Sequence, residues 1–315
     1  MSDYAFFLSR AQEAAGMVSM LEDNLSRNPT DISIRVNLSS AVQMAERAQA
    51  ELYEAAAEAQ VDVCRYRLVR HTGTGFGLFN VSKSLELFQD AVSFVYDAVT
   101  GRPKQRARMA DRSRQESEML FGYSYAGSLG VVLLAPSQRG LFITKFDDVV
   151  KTINQVFDIK NNDELRDAAK TIGSAAIHKI YAWAEVNHAA GYDLDLRWTN
   201  SNHIESGRYV EAVQFGKLVN LISVTSDVES TPVAVRGTLV GFDSKVGTFH
   251  FVEPDGDAYK GKLSNEFPGH HDWTVNKTYD AKITVEETVR YSTGETTTKY
   301  LLSALKLVLD PPLSS

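Results

Sequence analysis

Apolar residues recur every three to four positions through the first 60 residues. Leu8, Ala11, Ala15, Val18 and Leu21 make one stripe; Ile34, Leu38, Val42, Ala45, Ala48, Leu52, Ala55, Ala56 and Ala59 make a second. That period predicts two helices. Ser2 or Asp3 suits the first N-cap, Asn28-Pro29 breaks the helix, and Thr30 or Asp31 caps the next. Both stripes are narrow and alanine-rich, so each helix buries little area at about 25 cal/mol per Å². Residues 1–60 are therefore expected to be a helical hairpin that packs on the rest of the chain or on another copy.

From Val61 the period shortens. Val61, Val63 and Val69 share one parity, with Arg65 and Arg67 between them, and predict a strand over 61–70. Leu85, Phe88, Val92, Val95 and Val99 predict a helix over 82–99, capped by Ser82 or Ser84. Strands follow at 118–125 and 128–136 around Ala126-Gly127, with a short one at 141–143. Helices are expected at 146–158 and 163–190, the second stopped by Gly191. A strand over 192–198 and a helix over 208–223 complete this part. The polar run Ser226 to Pro232 reads as a boundary. Beyond it, strands are expected at 233–242, 247–253, 257–263, 278–290 and 297–308. The fold class is α+β, in three parts. They are an N-terminal helical hairpin (1–60), a central mixed α+β domain (61–226) and a small five-stranded β-barrel (232–310) of OB or SH3-like type.

Composition narrows the function classes. At 43% hydrophobic and 23% charged, the 315 residues are ordinary globular material, not disordered or fibrous. Cys64 is the single cysteine, so no disulfide forms within the chain, which fits a reducing compartment. Met1 to Leu8 lacks the basic start of a signal peptide, and no apolar run approaches the ~18 residues of a membrane span. The expected location is cytoplasmic, with no membrane partner. A net charge of -7 gives the whole molecule no bulk attraction for polyanions.

Catalytic motifs fail on spacing. Gly122-Tyr123-Ser124-Tyr125-Ala126 lacks the second glycine of a nucleophile elbow. Gly73-Thr74-Gly75-Phe76-Gly77 has neither the dinucleotide spacing nor the Lys-Ser/Thr of a P-loop, and reads as a flexible loop. The histidines, His71, His178, His188, His203, His250, His270 and His271, form no helical metal pair; His178 and His188 lie about 80° out of alignment. His270-His271-Asp272 reads as a solvated loop. Asp193 and Asp195 share one strand face and, with Glu205 and Glu211, are the candidate set for a metal-dependent hydrolase or nuclease. The plainer expectation is that this face meets solvent. No cofactor is implied.

The sharpest charge feature lies at 102–114. Arg102, Lys104, Arg106, Arg108, Arg112 and Arg114 stand against Asp111 alone. Arginine suits bidentate phosphate or carboxylate contacts. The segment is read as a solvated loop, as a partner for acidic surface on this chain or another copy, or as a nucleic-acid or phosphate contact. The barrel offers Phe242, Phe249, Phe251, Tyr259, Trp273, Tyr279 and Tyr291 for base stacking, but residues 233–310 carry 9 Lys+Arg and 11 Asp+Glu. Most of those aromatics are therefore expected in its core.

The runs Ser84-Leu85-Glu86-Leu87-Phe88-Gln89 and Gly127-Ser128-Leu129-Gly130-Val131-Val132-Leu133 resemble in style bacterial proteins, some of which belong to anti-phage or mobile-element loci. The resemblance implies a defence or regulatory component and carries no functional residue. The expected function is a non-enzymatic binding and assembly protein, a homo-oligomer or a partner of another protein, that recognises an anionic ligand. A metal-dependent hydrolase and a nucleic-acid-binding protein acting through 102–114 are the alternatives.

Overall fold

Asp3–Arg27 (α1) and Ile32–Glu58 (α2) form the N-terminal helical pair in this computed structural model. The residues it describes are 3–71, 75–101, 109–125, 129–136, 145–268 and 273–308. Asp31 caps α2, its carboxylate accepting from the amides of Ser33 and Ile34. The chain divides into two compact units. The first is 1–225 together with Tyr291–Gly294, and the second is the remainder from Ser226.

In the first unit the elements run Val61–Val69 (β1), Leu78–Thr100 (α3), Asp111–Ser117 (α4), Leu120–Tyr125 (β2) and Leu129–Pro136 (β3). They continue with Lys145–Asp158 (α5), Asn162–Ile172 (α6), Ser174–Ala190 (α7), Asp193–Thr199 (β4), Glu205–Val210 (β5) and Ala212–Val224 (α8). The strands make one antiparallel sheet in the order β2-β3-β1-β4-β5. Alternation along β1 assigns its faces. Val63 packs with the alanines of α1 and α2, Leu52, Tyr123, Val132 and Leu134. Tyr66, of opposite parity, meets Phe88 of α3 with ring centroids 4.8 Å apart. Cys64 lies in β1 between β3 and β4 and is buried.

An aromatic seam joins the helices of that second face. Trp183 of α7 touches Phe88, Phe157 and Phe215 at centroid distances of 5.2, 5.8 and 5.7 Å. Such pairs contribute about 0.5–1.5 kcal/mol each beyond the area they bury. A buried polar circuit runs through the seam. Trp183 Nε1 donates to Tyr66 Oη (2.9 Å), and Ser84 Oγ donates to Asn187 Oδ1 (2.7 Å). Ser84 has one proton, so in the 2.7 Å contact between the two hydroxyls Tyr66 donates to Ser84. Asn187 Nδ2 closes the circuit on the Trp183 carbonyl.

Several expectations are corrected here. The helix expected at 82–99 begins a turn earlier, at Leu78 with Gly77 as its N-cap, because Ser84 serves the buried circuit instead of a cap. The single helix expected over 163–190 is two, broken at Gly173, whose φ of 85° leaves the helical region. Residues 208–223 split into the end of β5 and α8. The helix α4 and most of β5 were not anticipated. The chain does divide at the boundary expected at Ser226 to Pro232, before Ser226, and the run itself is the first part of a strand of the second unit. The expected strand at 141–143 and the connection Ala126-Gly127 lie outside the described residues.

The second unit holds Ser226–Asp243 (β6), Thr248–Val252 (β7), Ala258–Leu263 (β8), Thr278–Arg290 (β9) and Thr296–Leu307 (β10). Each strand has two neighbours, in the closed order β10-β8-β7-β6-β9. All contacts are antiparallel except β8 with β10, which is parallel. Leu239, Phe249, Phe251, Ile283 and Leu302 fill the interior. The β8–β10 contact depends on Gly261: a Cβ there would stand 2.0 Å from the Tyr300 carbonyl oxygen. Among the described residues no helix is long and apolar enough to cross a membrane.

Candidate anion-binding face

Alternation in β7 and β8 sends Phe249 and Phe251 inward and leaves Thr248, His250, Lys260 and Lys262 on the outer face. The register sets His250 opposite Lys260 and Thr248 opposite Lys262. Lys262 also pairs with Leu301 of β10, two residues after the exposed Lys299. Lys245 lies in the turn entering β7, where Asp243 accepts from the amides of Lys245 and Val246. A shallow groove of about 430 Å³ runs over Gly241, Phe242, His250 and Lys260. A Cβ at Gly241 would reach van der Waals contact with that of His250, at 3.4 Å.

Asp243 also lines this groove, and Glu286 of β9 is the register partner of Lys299. Glu253, Asp255 and Asp257 occupy the β7–β8 turn, at the end of the face away from Lys245 and Lys262. Glu253 accepts from Tyr259 Oη at 2.7 Å, and this hydrogen bond pushes the phenol up to about 12. Arg236 of β6 holds Asp280 of β9 with two contacts of 2.7 and 3.1 Å. That fork holds the Asp280 carboxyl below its ordinary range. The nearly balanced charge of the unit thus includes a face on which Lys260 and Lys262 stand beside His250, with Asp243 at its edge.

Of the arginine-rich segment, Arg102, Lys104, Arg106 and Arg108 lie outside the described residues. Arg112 and Arg114 lie on the short helix α4. Arg112 Nε donates to Glu116 Oε1 at 2.7 Å, and Glu116 also accepts from Tyr96 Oη at 3.0 Å. Those contacts hold the Glu116 carboxyl below its usual range, with the Arg112 hydrogen bond as the main cause. Arg112 is therefore engaged with an acid of its own helix, although 79% of its side chain is exposed.

The carboxylates of the central sheet are each engaged separately. Asp193 is buried, not solvent-facing as expected. Its Oδ2 accepts from Tyr209 Oη at 2.6 Å and lies 2.7 Å from His71 Nε2, while its Oδ1 accepts from the Ala212 amide at 2.8 Å. Burial alone would raise its pKa. The three hydrogen bonds outweigh burial and lower it. Asp195 faces Arg67 at 3.2 Å and Arg197 at 2.7 Å, and Glu205 faces Arg65 at 3.1 Å. Glu211 takes part in the capping box of α8. No group of three His, Cys, Asp or Glu among the described residues could hold a metal ion. The cluster in which exposed His71 and Tyr209 meet the buried Asp193 was missed because Tyr209 sits on β5, which the sequence pattern did not reveal.

Gly73 and Thr74, and the His270-His271-Asp272 run, lie outside the described residues. Gly75 accepts from Arg70 through its carbonyl at 2.7 Å, and Phe76 packs on Tyr192. In comparisons with protein-family models, curated proteins and solved structures, nothing matches this chain.

Proposed function

We propose that this chain is a non-catalytic binding and assembly protein whose anionic partner is single-stranded nucleic acid, held on the outer face of β7 and β8. The observation carrying this reading is the placement of His250, Lys260, Lys262 and Lys299 on the outer face of a closed five-stranded sheet, with Lys245 in the turn entering β7, Glu286 opposite Lys299 and the acidic turn at the far end. A backbone polyanion needs that arrangement whatever the net charge of the module. In chain order within this unit, the circuit runs first–second–third–fifth–fourth–first, with the third and fifth strands parallel. That order supports an OB-type barrel, whose second and third strands supply the face used for oligonucleotides. His250 offers a ring for a base to stack on, flanked by ammonium groups for phosphates. Fluorescence anisotropy with a labelled single-stranded oligonucleotide tests it, with Lys260→Glu plus Lys262→Glu as the paired variant. Binding that both variant and wild type share equally would overturn this assignment.

The assembly part rests on α1. Phe6, Met17 and Met20 are exposed at spacings that place them along one side of that helix. Self-association through this side predicts a multimeric mass in light scattering that falls when Phe6 and Met20 are both replaced by serine. An unchanged mass would remove the hairpin from assembly.

A further inference from the structure

The two helices of the hairpin leave a groove on the side facing β2. Ala11, Ala15 and Val18 of α1 and Val42 and Ala45 of α2 form its walls, with Tyr123 and Tyr125 of β2 opposite. Its volume is about 220 Å³. The cause is the alanine content of both stripes: the helices meet through side chains too short to fill the space beside the tyrosine rings. Among the described residues, the charged ones lining it are Glu22 and Glu46, and Gln49, also in its wall, donates to Tyr53 Oη at 2.6 Å. The nearby acids Glu51 and Glu54 face Arg10 and His203. Glu22 and Glu46 have no ion pair among the described residues. Arg65 of β1, separated from β2 by β3, does not line the groove and is paired with Glu205, although its charge acts on Tyr123 and Tyr125.

We propose that this groove is a binding site for a small organic cation with an apolar body. The alanine and valine walls take a ring or short alkyl chain. The volume falls below the roughly 300–1,000 Å³ of common ligand pockets, which limits the occupant to a small molecule. Aromatic rings in the wall suit a cation, and Glu22 and Glu46 supply its counter-charge. A carboxylate or phosphate ligand would meet two like charges and is disfavoured. The site is separate from the nucleic-acid reading, and neither depends on the other.

The test is isothermal titration of the full chain with three probes of one shape: phenethylammonium, neutral 2-phenylethanol and anionic 3-phenylpropionate. The cation is expected to saturate at least about tenfold more tightly than the alcohol, the size of one charge-assisted contact, and the anion not to bind. Glu46→Gln, a change at an exposed position, and Glu22→Gln should each remove most of that preference. Ala15→Leu should fill the groove and abolish binding of both phenyl compounds. Equal binding of cation and alcohol, an undiminished preference in both glutamine variants, or no saturation of the wild type by millimolar cation would each overturn the proposal. Should Ala15→Leu fail to fold, the glutamine variants decide the matter alone.

Discussion

Tyr125 lies flat across Gly130, so closely that a Cβ on the glycine would come within 2.3 Å of the ring. The two residues are partners in the β2–β3 register. Gly130→Ala must therefore push the ring off the sheet. Overpacking of this kind costs about 1–3 kcal/mol, and urea unfolding of the first unit should show a loss of that size. Because Tyr125 also lines the groove beside the hairpin, the same variant should bind phenethylammonium more weakly. Unchanged stability would mean that the ring swings aside at no cost.

Asp193 predicts a pH dependence. A carboxyl whose folded pKa is lowered stabilises the fold at pH above its unfolded value of about 3.9, and this contribution is lost as pH falls through the folded value. Asp193→Asn should cost about 1–3 kcal/mol at neutral pH by weakening buried hydrogen bonds. Its stability should converge with wild type in acid. The Tyr209 phenol is held up at about 12, chiefly by its hydrogen bond to Asp193. In the variant it should titrate nearer the ordinary value of about 10, visible as an absorbance step of one phenolate. Parallel stability curves from neutral pH into acid would remove Asp193 as their source.

Salt dependence tests the basic face quantitatively. If Lys245, Lys260, Lys262 and Lys299 each neutralise a phosphate, log K should fall with log salt at a slope of about -3 for a single strand. Lys260→Gln plus Lys262→Gln should reduce that slope by about 1.4, with the circular dichroism spectrum unchanged. An identical slope in the double variant would place the contacts on another surface.

Gly261 is the steric condition for closing the sheet of the second unit. The atom it would strike is a backbone oxygen of β10, which cannot rotate away. Gly261→Ala should separate β8 from β10 and destabilise this unit by about 3 kcal/mol or more. Hydrogen exchange should then rise at Ser264, whose amide donates to the Leu302 carbonyl across that contact. Wild-type protection at Ser264 would show that the strands tolerate the methyl group.

The strands of the second unit were legible because each alternates buried and exposed positions between turn residues. The helical hairpin was legible from its period alone. What escaped notice has local causes. Gly173 interrupts a stripe whose apolar spacing continues across the break, so periodicity could not register it. In β5, Gly207 and Arg208 occupy strand positions without an apolar repeat, since a Cβ at Gly207 would meet the Arg197 side chain at 2.5 Å. Ser226 to Pro232 marks a boundary through its polar side chains, and the same polarity hid its strand, which thirteen consecutive register pairs from Ser226 to Thr238 tie to β9. The basic face was hidden by averaging: Lys260 and Lys262 become a feature only when alternation and register place them beside His250. Asp193 looked solvent-facing because the residues that enclose it, His71 and Tyr209, come from distant positions in the chain.

Cys64 gives the molecule an internal clock. Burial pushes its thiol well above the ordinary range, so alkylating reagents must wait for β1 to part from β3 and β4. Since no other cysteine exists in the chain, the alkylation rate of the native protein times the opening of the first unit and is blind to the second. Gly130→Ala should quicken this clock and Gly261→Ala should leave it running at the wild-type pace, so that one chemical reaction reads the opening of the first unit within the intact chain.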